Sequence, residues 1–282
     1  MAVRMRLRAF RLAAWLGWQM ESNWTDPWLF AVYSIIKPVS SALILVVMYY
    51  VVTGGQTQGD LFAGLYVGNA FFMYVGQLMF GMSWVVMEDR EFFRTFKYMY
   101  LAAPSIYWYL TGRAVAKFLV TSLAVAVVLG FGTAFLDLPL ALGAVRWGYL
   151  AAVLALGILA CVAFGLLMAG IMVISARHGQ GYAESFAGVL YLLCGVVFPL
   201  DVLPAPLQPV GRAIPFTYWI EGVRRALMGR GMSPSLAGVD DGAILAILLL
   251  SSLATLAVAV LFYAWMERIA RDRGLIDQVT EH

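Results

Sequence analysis

A chain of 282 residues that is 62% hydrophobic and only 12% charged is no ordinary soluble domain, in which about 25% of residues carry charge. The charges cluster and leave long uncharged runs, so composition predicts an all-α polytopic membrane protein in contact with a lipid bilayer. Two cysteines and two histidines exclude a disulfide framework and leave little for a metal site; neither a metal nor nucleic acid is expected.

The first eleven residues carry Arg4, Arg6, Arg8 and Arg11, while Leu7, Phe10, Ala14 and Trp18 share another helical face. This predicts an amphipathic interfacial helix within residues 1–27. A signal peptide is the rival reading, but no small-x-small cleavage site precedes Glu21. Span one is expected at Trp28–Val52, span two at Leu61–Val86, span three at Arg113–Leu136 and span four at Gly148–Ser175. Span five begins near Tyr182, and span six covers Ala243–Met266. Six spans form one transmembrane domain, residues 1–282, with a charged, aromatic segment at 87–112 and a tail at 267–282.

Span five stops too early. From Phe186 to Phe198 there are 13 uninterrupted apolar or small residues, where a crossing takes about 20. Pro199, Pro204, Pro206, Pro209 and Pro215 follow, half of the chain's ten prolines, and no continuous helix survives such a run. The segment nevertheless stays apolar, which predicts a broken, re-entrant stretch at 199–241.

Counting Lys and Arg by side gives twelve against five in favour of both termini inside, with Arg146, Arg212, Arg224, Arg225 and Arg230 on the outer side. Lys37 lies nine residues into span one, about 13 Å along the helix. It is either a functional intramembrane charge or a snorkelling side chain. Lys117 and Glu184 sit closer to span ends and read as interfacial. On span two, Tyr66, Asn69, Met73, Gln77, Phe80 and Trp84 share one helical face. That stripe suits a path for an amphipathic or sugar-bearing substrate, and equally suits helix packing through its amides. No G-x-x-x-x-G-K-[ST] loop occurs, so the chain has no phosphate-binding loop of its own.

The runs GVVFPLDVLP (Gly195 to Pro204), PFTYW (Pro215 to Trp219) and RRALMG (Arg224 to Gly229) together resemble the last-loop motif of ABC exporter permeases of the second type. The segment EDREFFRT (Glu88 to Thr95), followed by LAAP ending at Pro104, stands where that family carries its coupling helix, though Arg94 occupies a position where Gly is commoner. The resemblance implies an exporter subunit moving an amphipathic small molecule or lipid, or alternatively a lipid-linked polysaccharide, by alternating access. It further implies a homodimer with two ATPase subunits that hold ATP and Mg, in the plasma (inner) membrane of a bacterium or archaeon. By the same resemblance Glu88, Asp89, Arg90, Glu91, Phe92, Phe93, Arg94, Thr95, Phe96 and Pro104 couple to the ATPase. Spans one, two and five line the path, with Lys37 and the span-two stripe facing it. Gly195, Phe198, Pro199, Pro204 and Pro215 belong to an outer gate.

Two rivals come from other classes. Glu221, Arg224 and Arg225 spell the E-x-x-x-R of some intramembrane proteases, but Ile220 replaces the second Glu those enzymes need and His178 stands alone. An ion-driven carrier would place paired acids inside its spans, and no Asp or Glu is central to any span here.

Overall fold

The computed structural model describes residues 2–22, 27–54, 59–93, 106–140, 142–175 and 179–275. Among them the secondary structure is helical, with no strand. The elements are α1 (Ala2–Ser22), α2 (Pro27–Val52), α3 (Asp60–Met87), α4 (Ile106–Phe135), α5 (Trp147–Ile174), α6 (Gly179–Leu193), α7 (Gln208–Ala213), α8 (Pro215–Met228), α9 (Pro234–Ala237) and α10 (Asp241–Asp272). A π-helical turn, Glu88–Phe92, continues α3, and short 3-10 turns occur at Leu142–Ala144 and Leu200–Val202. Among the described residues five helices, α2, α3, α4, α5 and α10, are long and apolar enough to cross a membrane. The fifth expected span is the 15-residue α6, about 22 Å long against a hydrocarbon core of about 30 Å.

α3 is the hub. It packs against α2, α4, α5, α6 and α8, and 72% of its span is buried, against 22% for both α2 and α10. The core beside it is aromatic. Tyr74 stacks on Phe118 with ring centroids 5.4 Å apart, and meets Trp219 edge-on at 6.1 Å. Phe164 lies 4.9 Å from Phe216. Nearer the Glu88 end, a second cluster joins Ala13, Met82, Val86, Tyr109, Met172 and Tyr263.

Small residues let these helices approach, because between lipid-bathed helices packing replaces the hydrophobic driving force. Gly157 of α5 faces the Trp219 indole, and an added Cβ would overlap that ring. At Gly165 it would stand 2.6 Å from Met82 Sδ. α1 docks on α4 in the same manner: Phe10 meets Trp108 edge-on, Ala13 faces Gly112 and Gly17 faces Ala116. These contacts advance in step, so the two helices run in the same direction. Leu12, Trp15 and Leu16 stay exposed on the opposite face of α1.

Several boundaries differ from hydropathy. α4 begins at Ile106 rather than Arg113, because α1 and the end of α3 cover its first turns and pair its charges. α10 continues past Met266 to Asp272, where the Glu267–Arg271 pair, one turn apart, suits helix. The break after α6 falls where the prolines place it. Gly195 adopts φ +69°, the left-handed conformation that ends helices. Pro199 is extended, and Pro215 occupies the first turn of α8, where its missing N–H costs nothing. α8 is not an outer loop. Its residues from Pro215 to Leu227 are buried among α3, α5 and α10.

Gly157→Ala and Gly165→Ala should each cost about 1–3 kcal/mol through overpacking. Gly130→Ala and Gly188→Ala, at positions with open space around them, should be neutral or slightly stabilising. Thermal unfolding midpoints of the four variants in detergent check this.

Candidate functional site

The main cavity, about 820 Å³, lies between α2, α3, α4 and the end of α6, within the size range of small-molecule sites. α2 contributes Lys37, Pro38, Ser41, Ile44, Leu45 and Met48; α3 contributes Asn69, Phe72, Met73, Gly76 and Gln77. Lys117 and Thr121 come from α4, Tyr191 and Val197 from α6 and the turn beyond it, and Glu21 from α1. The walls are mainly apolar. The Tyr191 hydroxyl donates to Asn69 Oδ1 at 2.8 Å, which fixes that amide across the α3–α6 seam. Pro38, which has no N–H to donate, interrupts the hydrogen-bond ladder of α2 next to Lys37.

The residues expected to face a path divide in two. Lys37, Asn69, Met73 and Gln77 reach the cavity. Tyr66 does not: it is buried against α4, donating to the Val128 carbonyl at 2.7 Å. Phe80 and Trp84 stack on each other at 5.8 Å, nearer the Glu88 end, and neither lines the cavity. At Tyr66 the face is closed by α4, whose Gly132 lies against that ring. Two lining charges escaped the sequence reading. Glu21 and Lys117 form an ion pair at the cavity. With α4 starting at Ile106, Lys117 lies eleven residues in, about 16 Å along the helix, and its stem packs on Gly81.

At the end of α3, the charges turn inward. Glu88 pairs with Arg113 Nη2 at 2.8 Å. Asp89 Oδ2 accepts from the Tyr109 hydroxyl at 2.9 Å. Arg90 Nη1 donates to the Val173 carbonyl at 3.1 Å, one of the carbonyls that a helix end leaves without an intrahelical partner. Asp89 and Arg90 are 3% and 4% exposed, so they join α3 to α4 and α5, whereas a charged coupling surface would need them outward. Phe93 is 52% exposed. The side chains of Glu91 and Phe92, and all of Arg94, Thr95, Phe96 and Pro104, lie outside the described residues.

At the opposite end, Arg224 is 2% exposed. Its Nε donates to the Gly64 carbonyl at 2.8 Å and its Nη2 to the Val196 carbonyl at 3.0 Å. An added Cβ at Gly68 would overlap the guanidinium. Arg225 donates to the carbonyls of Leu236 at 2.5 Å and Val239 at 2.6 Å, and to Asp241 at 3.1 Å. Glu221 Oε2 accepts from Met232 N at 3.1 Å, while its Oε1 stands 3.7 Å from Arg225 Nε. Arg146 pairs with Asp241, and Arg230 with Asp60. The protease-like triad is thus committed to holding backbone. Of the expected gate residues, Gly195 and Pro215 are buried, Phe198 and Pro199 half-buried, and Pro204 exposed.

Arg224→Met should strand both carbonyls. Each charge-assisted bond is worth about 1.5–3 kcal/mol, so the unfolding midpoint in detergent should fall. Arg224→Lys should recover only part of the loss, because an ammonium lacks the planar fork. Proteolysis within residues 199–214 should accelerate in parallel.

A helical membrane bundle with a mainly apolar cavity that carries a few polar groups, and no phosphate-binding loop in its sequence, has the features of a transport subunit. A profile of the ABC-2 type transporter family matches residues 10–228, and the chain belongs to that family. Members are membrane subunits of ABC transporters, typically without an ATPase site of their own, which implies a system with an ATPase partner. No curated protein sequence matches the chain.

Proposed function

We propose that this chain is the membrane half of an ATP-driven exporter, moving an amphipathic small molecule or lipid out of the cytoplasm by alternating access. The cavity between α2, α3, α4 and α6 carries this reading. Its apolar walls and few polar groups suit a molecule with both characters better than a glycan. Two copies of the chain pair with two ATPase subunits, which hold ATP and Mg; each copy supplies six spans, counting the short α6. α8, buried against three long helices and entered through a proline-broken turn, supports a re-entrant segment at 199–241.

Orientation follows from charge. Setting aside the buried Arg90, Arg113, Arg224 and Arg225, the bias becomes ten against three for both termini in the cytoplasm of a bacterial or archaeal cell, with the chain in its plasma (inner) membrane. The Glu88-to-Thr95 segment then meets the ATPase through its aromatic side chains as anchors, while the buried Asp89 and Arg90 brace the end of α3 from behind.

Purified alone, the chain should bind no nucleotide; with its partner it should show hydrolysis and ATP-dependent transport into inverted vesicles. Replacing Phe92, Phe93 and Phe96 together with Ala should release the ATPase in pull-downs. Specific nucleotide binding by the isolated chain, or an unaltered complex and normal transport by the triple variant, would overturn the reading.

Topology has its own test. A cysteine at Val210, which is 47% exposed, should be labelled by an impermeant thiol reagent from outside the cell only. One at Thr217, buried with its hydroxyl donating to the Gly211 carbonyl at 2.6 Å, should resist labelling from either side. Labelling of the Val210 site from the cytoplasm would reverse the orientation.

A further inference from the structure

The cavity is amphipathic along its own axis, and this specifies its occupant. Tyr49 of α2 meets Phe62 of α3 with ring centroids 5.1 Å apart, which fixes the register of these two helices. Lys37 is twelve residues from Tyr49, about 18 Å towards the Glu88 end, and so stands near the level of Tyr74. Lys117, packed on Gly81, lies about 10 Å further along by the same rise. Two long cationic side chains therefore occupy one end of the cavity, and Ile44, Leu45 and Val197 line the other.

The charge at the cationic end is unbalanced. Among the described residues the charged lining groups are Lys37, Lys117 and Glu21. Glu21 pairs with Lys117, and no carboxylate lies within ion-pair distance of Lys37 among the described residues. An uncompensated cation beside apolar wall is costly unless an anion or water meets it. Lys37 is held there by a helix interrupted at Pro38.

We propose that the cavity binds an amphiphile with an anionic head. Its phosphate or carboxylate is held by Lys37, with Lys117 as second cation, and its chain lies along Ile44, Leu45 and Phe72. The inference rests on the transport reading and narrows its substrate class. With the amino terminus in the cytoplasm, the head lies near mid-depth between Lys37 and Lys117, on the cytoplasmic side of its chain, which extends towards the outer surface. Glu21 occupies Lys117 as an internal competitor, and an incoming anion displaces it.

The test uses the purified full chain in neutral detergent, without ATPase, and native mass spectrometry of bound lipid. The probes are phosphatidylglycerol, phosphatidylcholine with the same acyl chains, and inorganic phosphate. Phosphatidylglycerol should bind about tenfold more tightly than phosphatidylcholine, the scale of one charge-assisted contact. Lys37→Gln should abolish most of that preference and Lys37→Arg should keep it. Glu21→Gln should strengthen phosphatidylglycerol binding by freeing Lys117, whereas a purely structural ion pair would give weaker binding.

Equal affinity for the two lipids, or a preference untouched by Lys37→Gln, would overturn the proposal. So would inorganic phosphate binding as tightly as phosphatidylglycerol, which would make this a free-anion site. These outcomes are independent of transport. ATP-driven export of a neutral substrate by a chain without lipid preference would leave the exporter reading standing and remove only this one.

Discussion

The constraint on which the rest depends is the burial of one guanidinium. Arg224 cannot be deprotonated at any ordinary pH, and its charge sits between apolar helices, so the fold must supply acceptors. Two backbone carbonyls do this, and each has a reason to be available. Val196 lies just past the end of α6, where Gly195 turns left-handed and the prolines prevent the helix from resuming. Its carbonyl has no helical N–H to accept from. Gly64 lies within α3 and uses a spare lone pair, and Gly68, one turn on, lacks the side chain that would block the approach. The proline-rich break, the glycines of α3 and the arginine of α8 are therefore parts of one arrangement. Removing any of them leaves the others unsatisfied.

That arrangement also positions the cavity. Fixing Val196 holds the end of α6 against α3, which sets Tyr191 and Val197 on the cavity wall and aims the Tyr191 hydroxyl at Asn69. Trp219 and Phe216 of α8 pack behind α3 against Tyr74 and Phe164, so α3 presents one face to the cavity and the other to a close-packed aromatic core. At its far end Glu88, Asp89 and Arg90 tie α3 to α4 and α5. The hub is thus pinned at both ends by charges that the bundle itself satisfies.

The sequence revealed the fold class, the limits of most long helices and the break after span five, because each depends on local chemistry: apolar runs, prolines and a left-handed glycine. It misjudged what depends on neighbours. Arg224 and Arg225 read as outer-loop charges because no local signal distinguishes a solvated arginine from one whose acceptors lie in α3, in the turn after α6, and in and just beyond α9. Asp89 and Arg90 read only as part of the ATPase-coupling segment for the same reason; their partners, Tyr109 and Val173, are 20 and 83 residues away. Lys117 looked interfacial only because the start of α4 was placed at Arg113, a charge that Glu88 neutralises. Half of the span-two stripe reaches the cavity and half does not, since periodicity specifies a face and says nothing of where along it a neighbour closes.

The two sides of the cavity are held very differently, and this bears on how such a chain can work. α3 is secured by a partly buried ion pair, aromatic packing and carbonyl bonds to three other elements. α2, which carries Lys37, is buried over only 22% of its span and leaves Ile35, Ile36, Ile44, Val47, Val51 and Val52 exposed. Its ladder is interrupted at Pro38, level with the cavity. Displacing α2 breaks few contacts, whereas displacing α3 breaks the core. The energetic gradient runs from a rigid inner wall to a weakly held outer one, so a change in cavity shape that starts at the well-braced Glu88 end is most cheaply absorbed by α2. The same helix carries the cation to which no described carboxylate answers, so the wall that moves most easily is also the wall that holds the charge.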